Sequence, residues 1–254
     1  MNQQTTMIST WDSLDSEADA VALMTGREAT DICALLQQAV STLADGFTST
    51  ELEDSDATRV RMGIFSQNLN SLKCGVDLAK RGYYTQSMGL VRGVYENWIA
   101  FHYLATFPAE AGNWLAHGKR PPSHGDMLNA LGPSFTEHKT DARGWYHALC
   151  RFAHTDALVV LPHLGNHEGE ACTFFGVTYK PDLFRSCAYT LSLFACIMLR
   201  EVSLLVPGNS LWLDSCKPMV DALLLFIEKE KTAPTPAHAS NAEDEVGKDV
   251  RQAT

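Results

Sequence analysis

An arginine and a glutamate four positions apart are the first residues that could do chemistry. Arg92 and Glu96 lie in an otherwise apolar stretch. Residues i and i+4 of a helix lie about 40° apart around its axis, so both charges would share one face. An unpaired buried charge costs several kcal/mol, so the pair must be compensated. Two interpretations stay open: a polar group inside a cleft, or a structural pair that ties the helix to a neighbour such as Asp77 or Arg151.

A second group follows in the stretch that begins at residue 145. His147, Arg151 and His154 fall on one helical stripe, and Asp156 lies just beyond. Imidazole is the usual proton-transfer group near neutral pH, and an arginine can hold a phosphate or carboxylate by two hydrogen bonds. Asp156 could orient the imidazole. The alternative interpretation is a helix C-terminus at which His154 caps free carbonyl groups.

A third group contains two histidines and two carboxylates that could bind a metal: His163, His167, Glu168 and Glu170. The glycines between them predict a loop, so a solvated polar loop is the alternative. The chain has no His-Glu-x-x-His motif, no P-loop, no Gly-x-Gly-x-x-Gly and no Gly-x-Ser-x-Gly. We therefore expect neither a metal nor a cofactor.

The elements that position these residues are mainly helices. Apolar residues recur at helical spacing, and prolines and glycines such as Gly46 and Gly82 mark the predicted helix ends. The predicted helices cover residues 27–43, 57–80, 83–106, 109–117, 144–155, 181–206 and 211–231, with Ser55 or Asp56 capping the second. β-branched and aromatic residues predict a short β-hairpin near residues 158–179. The predicted fold class is all-α, a multi-helix bundle with this hairpin as an insertion.

The acidic residues are concentrated near the N-terminus. The formal net charge is −10, and residues 1–57 carry 11 acidic side chains against one basic side chain, Arg27. The remainder of the bundle is therefore close to neutral, and the charge of the whole chain says little about nucleic-acid binding. We predict an acidic, partly disordered segment over 1–26, a helical bundle over 27–231 and a disordered tail over 232–254.

The cysteines and the hydropathy pattern predict a cytoplasmic protein. Seven cysteines occur without a Cys-x-x-Cys pair, which is typical of a reducing compartment. The N-terminus lacks the basic start and apolar run of a secretory signal. The longest apolar stretch, residues 187–199, ends at Arg200 and Glu201 and is short for a membrane span.

Four consecutive features of the chain resemble a known family. They are the stretch from Ser87 to Glu96, a helix ending in Arg-Phe-Ala-His at 151–154, a short extended stretch and an apolar helix. This is the bacterial family of unknown function DUF5677, which is loosely grouped with HEPN-type helical bundles. The resemblance covers about residues 57–206 and implies a homodimeric helical bundle with Arg92, Glu96, Arg151 and His154 as its polar site. HEPN ribonucleases use an arginine followed four to six residues later by a histidine, whereas only two residues separate Arg151 from His154.

Two functions follow, and whether the chain is an enzyme stays open between them. The first is a binding or regulatory helical bundle whose partner is a protein, a small ligand or RNA. The alternative is a HEPN-like, metal-independent ribonuclease acting as a toxin or phage-defence effector. There, His154 would transfer the proton, and Arg151 or Arg92 would stabilise the phosphorane. A weaker third reading is a metal-dependent hydrolase using His163, His167 and Glu170.

Overall fold

A computed structural model describes residues 3–48, 54–116, 121–132, 147–152, 164–167, 170–173, 177–205 and 210–232. The helices are α1 (Gln3–Glu28), α2 (Thr30–Thr48), α3 (Asp56–Lys80), α4 (Tyr84–Thr106), α5 (Ala111–Leu115), α6 (His124–Leu131), α7 (Pro181–Leu205) and α8 (Ser210–Thr232). A 3₁₀ turn over Pro108–Glu110 precedes α5, and residues 147–152 are also helical. The predicted all-α bundle is confirmed.

Helix α4 lies at the centre of the bundle. It packs most extensively against α3, and α7 packs against both, while α2 and α8 complete the core. The side chains of Tyr95, Ile99 and Leu104 are at most 1% exposed, as expected for a helix that is apolar on most sides. The α3–α4 connection is a tight turn in which Gly82 has φ +87°, a conformation that favours glycine.

Local capping explains where the central helices begin. Ser55 caps α3, and its Oγ accepts a hydrogen bond from the Thr58 backbone N–H at 3.2 Å. This confirms one of the two predicted caps. Pro108 follows the end of α4 and begins the 3₁₀ turn, and Pro181 begins α7. The first turn of a helix tolerates proline because its N–H would have no partner within the helix.

Helix α1 occupies most of the segment over residues 1–26 that was predicted to be acidic and partly disordered. Ala18, Val21 and Thr25 are buried where α1 meets α2 and α3. This apolar stripe is short and lies among acidic and polar residues, so the hydrophobic pattern did not reveal it. Helix α2 begins at Thr30 and continues through Gly46 to Thr48, beyond its predicted end.

The β-hairpin is present, although its first strand and the first half of its second strand lie where a loop was predicted, and only Cys172 and Thr173 fall in a predicted strand. Strand β1 (Leu164–His167) pairs with β2 (Glu170–Thr173) in antiparallel register. His167 stands opposite Glu170, beside the connection between the strands. The stretches predicted as strands, 158–161 and most of 172–179, lie outside the described residues or have no regular structure. The predicted tail also lies outside them, except for Thr232 at the end of α8.

One helical segment in the described part of the chain has the length and composition of a membrane span. It covers Pro181–Val202 in α7, and 61% of its apolar window is buried inside the bundle. The core helix of a packed domain has the same character, so this segment is weak evidence for a membrane location.

Candidate functional site

Helix α4 places Arg92 and Glu96 side by side, as their spacing predicted. Arg92 Nε lies 3.1 Å from Glu96 Oε1, and the side chains are 23% and 38% exposed. The pair is therefore partly open to solvent on a helix that is otherwise mostly buried. Asp77, one of the two neighbours considered as a partner for this pair, instead pairs within α3 with Lys73 at 2.9 Å.

His124 joins this pair from α6, and sequence reasoning did not identify it. The imidazole ring lies 5.3 Å from the ring of Tyr95, which is 1% exposed. Burial lowers the pKa of His124, while Glu96 raises that pKa and Arg92 lowers it further. A neutral imidazole is therefore favoured beside the ion pair. We call Arg92, Tyr95, Glu96 and His124 the Arg92 site.

The position of His124 is fixed by how α6 begins. Ser123 is the N-cap, and a capping box joins it to Asp126: the Asp126 N–H donates to Ser123 Oγ at 3.2 Å, and the Ser123 N–H donates to Asp126 Oδ2 at 3.3 Å. His124 is the first residue of the helix. Three apolar side chains one to two turns later are buried and hold α6 on the bundle: Met127, Leu128 and Leu131.

The second predicted group is only partly described. His147 and Arg151 lie in the helical residues 147–152 and are exposed, whereas Leu149 is fully buried. The carbonyl oxygen of Phe152 lies 3.9 Å from where a Cβ on Gly89 would stand, so this segment runs beside α4 one turn before Arg92. His154 and Asp156 lie outside the described residues. The backbone of the segment that carries Arg151 therefore lies beside the helix that carries Arg92.

The third predicted group contains two described members. His167 and Glu170 are paired in the backbone register of the hairpin, and His163 and Glu168 lie outside the described residues. Among the residues that the structure describes, no three histidine, cysteine or acidic side chains come together in a way that could hold a metal ion.

A second polar cluster, which the sequence did not predict, lies where α3, α4 and α7 meet. His102 Nε2 lies 2.8 Å from Glu201 Oε1, and Trp98 Nε1 donates to the same oxygen at 3.4 Å. The guanidinium of Arg61 lies 4.7 Å from the centre of the Phe101 ring. Burial lowers the pKa of Arg61 and the Glu201 charge raises it, so the two charges interact. We call this set the Glu201 cluster.

Aromatic rings connect the two polar sites along α4. The His124 ring contacts Tyr95, the Tyr95 and Trp98 rings are 6.0 Å apart, and the Trp98 and His102 rings are 5.6 Å apart. These centroid distances lie within the range of favourable aromatic pairs. One side of α4 therefore carries a row of rings with a polar site at each end.

Comparison of the chain with protein-family models, curated proteins and solved structures finds no match. The resemblance to DUF5677 and to HEPN-type bundles therefore stays a prediction. The chemistry of the Arg92 site and of the neighbouring residues 147–152 is the basis for a function.

Proposed function

We propose that the chain is a helical-bundle binding protein whose Arg92 site takes a small ligand that carries both a carboxylate and an amine. The observation that supports this proposal is the partly exposed pair of opposite charges on the central helix, with side chains 23% and 38% exposed. A ligand of mixed charge offers a partner to each member of the pair.

The energetics favour such an exchange. A partly exposed i, i+4 ion pair contributes only about 0.3–0.5 kcal/mol, so little stability is lost when its members turn to a ligand. The Arg92 guanidinium can hold a carboxylate by two hydrogen bonds, and Glu96 can accept hydrogen bonds from an ammonium group. The neutral imidazole of His124, packed on the buried Tyr95 ring, adds an aromatic wall that carries no competing charge.

Free L-amino acids are suitable probes for this proposal. We expect at least one of them to raise the melting temperature, because a ligand that binds only the folded state stabilises it by about 2.7 kcal/mol at a concentration of about 100 times Kd. Arg92→Gln and Glu96→Gln should each abolish the shift. The N-acetyl and methyl-ester forms, each lacking one charge, are the matched controls. No shift with any amino acid, or an equal shift with both blocked forms, would disprove the proposal.

The second candidate function is the HEPN-like, metal-independent ribonuclease. It is supported by the exposed Arg151 and His147 on a helical segment beside α4, which places a second arginine near the Arg92 helix. In this mechanism His154 acts as the general acid and base, and Arg151 or Arg92 stabilises the negative charge of the phosphorane.

RNA cleavage in EDTA tests this alternative. We would compare the wild type with His154→Ala, and use His167→Ala in the hairpin as a control. If the chain is a ribonuclease of this kind, the wild type and His167→Ala should cleave RNA, and His154→Ala should not. Cleavage that survives in His154→Ala disproves the assignment, and absence of cleavage in the wild type disproves the activity.

We also propose the homodimer that the family resemblance implies. The chain has a mass of 27.9 kDa, so light scattering coupled to size-exclusion chromatography should give twice that mass. A mass of one chain across the concentrations tested would contradict this proposal.

A further inference from the structure

Helix α6 flanks the Arg92 site and is held to the bundle mainly by α4. It has eight residues, and its buried side chains, Met127, Leu128 and Leu131, face the core. Among the described elements, it packs most extensively against α4, which also carries Arg92 and Glu96. A short helix anchored by three apolar side chains can separate from the bundle at a lower cost than the long helices of the core.

His124 joins this short helix to the Arg92 site. The described charged and titratable groups that face its imidazole are Arg92, Glu96 and Tyr95 from α4, and Asp126 in its own helix is already bonded to Ser123. The charges of Arg92 and Glu96 act on His124 in opposite directions. Burial against Tyr95 therefore decides the balance and disfavours a charged imidazole while α6 is in place.

We propose that α6 is a proton-controlled lid of the Arg92 site, closed while His124 is neutral and open when His124 is protonated. The role of the lid rests on the proposed binding function, because it is the Arg92 site that opening exposes. Separation of α6 from α4 would bring His124 into water, where the imidazolium is well solvated. It would also take the His124 ring away from Arg92 and Glu96.

The sign of the pH dependence follows from the direction of the pKa shift. With α6 closed, the pKa of His124 lies below its ordinary value of 6.5, and with α6 open it returns to that value. The open state therefore binds protons more readily. The ratio of open to closed molecules should rise by up to about tenfold per pH unit below pH 6.5, until the pH reaches the pKa of the closed state. Above that range the ratio should be constant.

Hydrogen exchange of the ligand-free, full-length protein measures this opening directly. After correction for the intrinsic exchange rate, amides of residues 124–131 should lose protection as the pH falls below about 6.5, with a slope that approaches but does not exceed about tenfold per pH unit. Amides in the centres of α3 and α4 report on global unfolding and should keep their protection. Unchanged protection of α6, or an equal loss in α3 and α4, would overturn the proposal.

Two variants identify His124 as the proton-binding group. His124→Gln stays neutral at every pH, so protection of its α6 should not depend on pH, whereas His147→Gln on the exposed segment should behave as the wild type. If His124→Gln does not fold, Glu96→Gln replaces it. Removal of the charge that raises the His124 pKa in the closed state should leave the onset of opening near pH 6.5 and extend the loss of α6 protection to lower pH. An opening curve that is the same in both variants as in the wild type would assign the proton to another group.

This measurement separates the lid from the binding function. It uses no ligand, so a pH-dependent α6 in a protein that no amino acid stabilises would disprove only the proposed ligand. Amino-acid binding to a protein whose α6 keeps its protection would disprove only the lid.

Discussion

Glu201 accepts hydrogen bonds from His102 and from Trp98, and its side chain is only 15% exposed. Its Oε2 atom is buried and accepts no hydrogen bond from the residues that the structure describes. A buried carboxylate in such a place holds its surroundings by charge as well as by hydrogen bonds, because Arg61 on α3 also interacts with it. The Glu201 cluster thus connects three helices through one side chain.

Replacement of Glu201 should therefore lower the stability of the fold, and by more when more of its interactions are removed. We expect Glu201→Ala to lower the free energy of unfolding by about 2–3 kcal/mol, since two donors lose their acceptor and Arg61 loses a counter-charge. Glu201→Gln keeps a carbonyl oxygen and the side-chain volume, so its effect should be smaller. Urea titration of both variants measures the difference. Equal effects below about 0.5 kcal/mol would show that the cluster does not stabilise the fold.

How much of a site a sequence reveals depends on the distance along the chain between its members. Arg92 and Glu96 were predicted as a pair because a single helical turn determines their geometry. His124 and Glu201 belong to other helices, and only the packing of those helices brings them to α4. Glu201 was interpreted simply as the polar end of an apolar stretch, because nothing in its surrounding sequence indicates a buried partner.

At the scale of elements, helix boundaries were most predictable where apolar periodicity and capping residues agree. Helices α3, α4, α7 and α8 begin and end within one residue of the predicted positions. Gly46 was interpreted as a helix end, yet α2 continues through it. Gly46 instead allows α8 to approach α2 closely. The indole of Trp212 on α8 lies against the Gly46 backbone, and Trp212 Nε1 donates to the Thr42 carbonyl at 3.1 Å.

Gly46→Ala tests this close approach of α2 and α8. A Cβ at this position would overlap the Trp212 ring, so the helices must separate or the indole must turn within its contacts to Phe65. We expect a loss of about 1–3 kcal/mol of stability, measured by chemical denaturation, because overpacked cores respond on that scale.

Gly63→Ala is the matched control for Gly46→Ala. Gly63 lies within α3, and nothing stands within 4 Å of a Cβ placed there. Alanine is the better helix former, so this change should raise stability by about 0.5–1 kcal/mol. A loss of stability in both variants would show that the glycine backbone, and not the Trp212 contact, determines the effect.

At the scale of the whole molecule, one hydrophobic core joins the helices from α2 to α8. Its extent explains why the fold class could be predicted although the site could be predicted only in part: each long helix shows its own apolar face in the sequence. Among the cysteines that the structure describes, four are buried in this core: Cys33 on α2, Cys187 and Cys196 on α7, and Cys216 on α8. Burial raises the pKa of all four thiols, to about 12 for Cys187 and about 11 for Cys216.

Thiol alkylation through a denaturant titration should therefore report whether the core unfolds as one unit. Thiolates are the reactive species, and both burial and a raised pKa suppress them in the folded protein. We expect the four thiols to become reactive at the same midpoint, since helices that share one core lose it together. Exposed Cys74 on α3 is the internal control and should react at every concentration. A lower midpoint for Cys33 alone would show instead that α2 separates first, and the bundle would then contain two cooperative units joined at the Gly46–Trp212 contact.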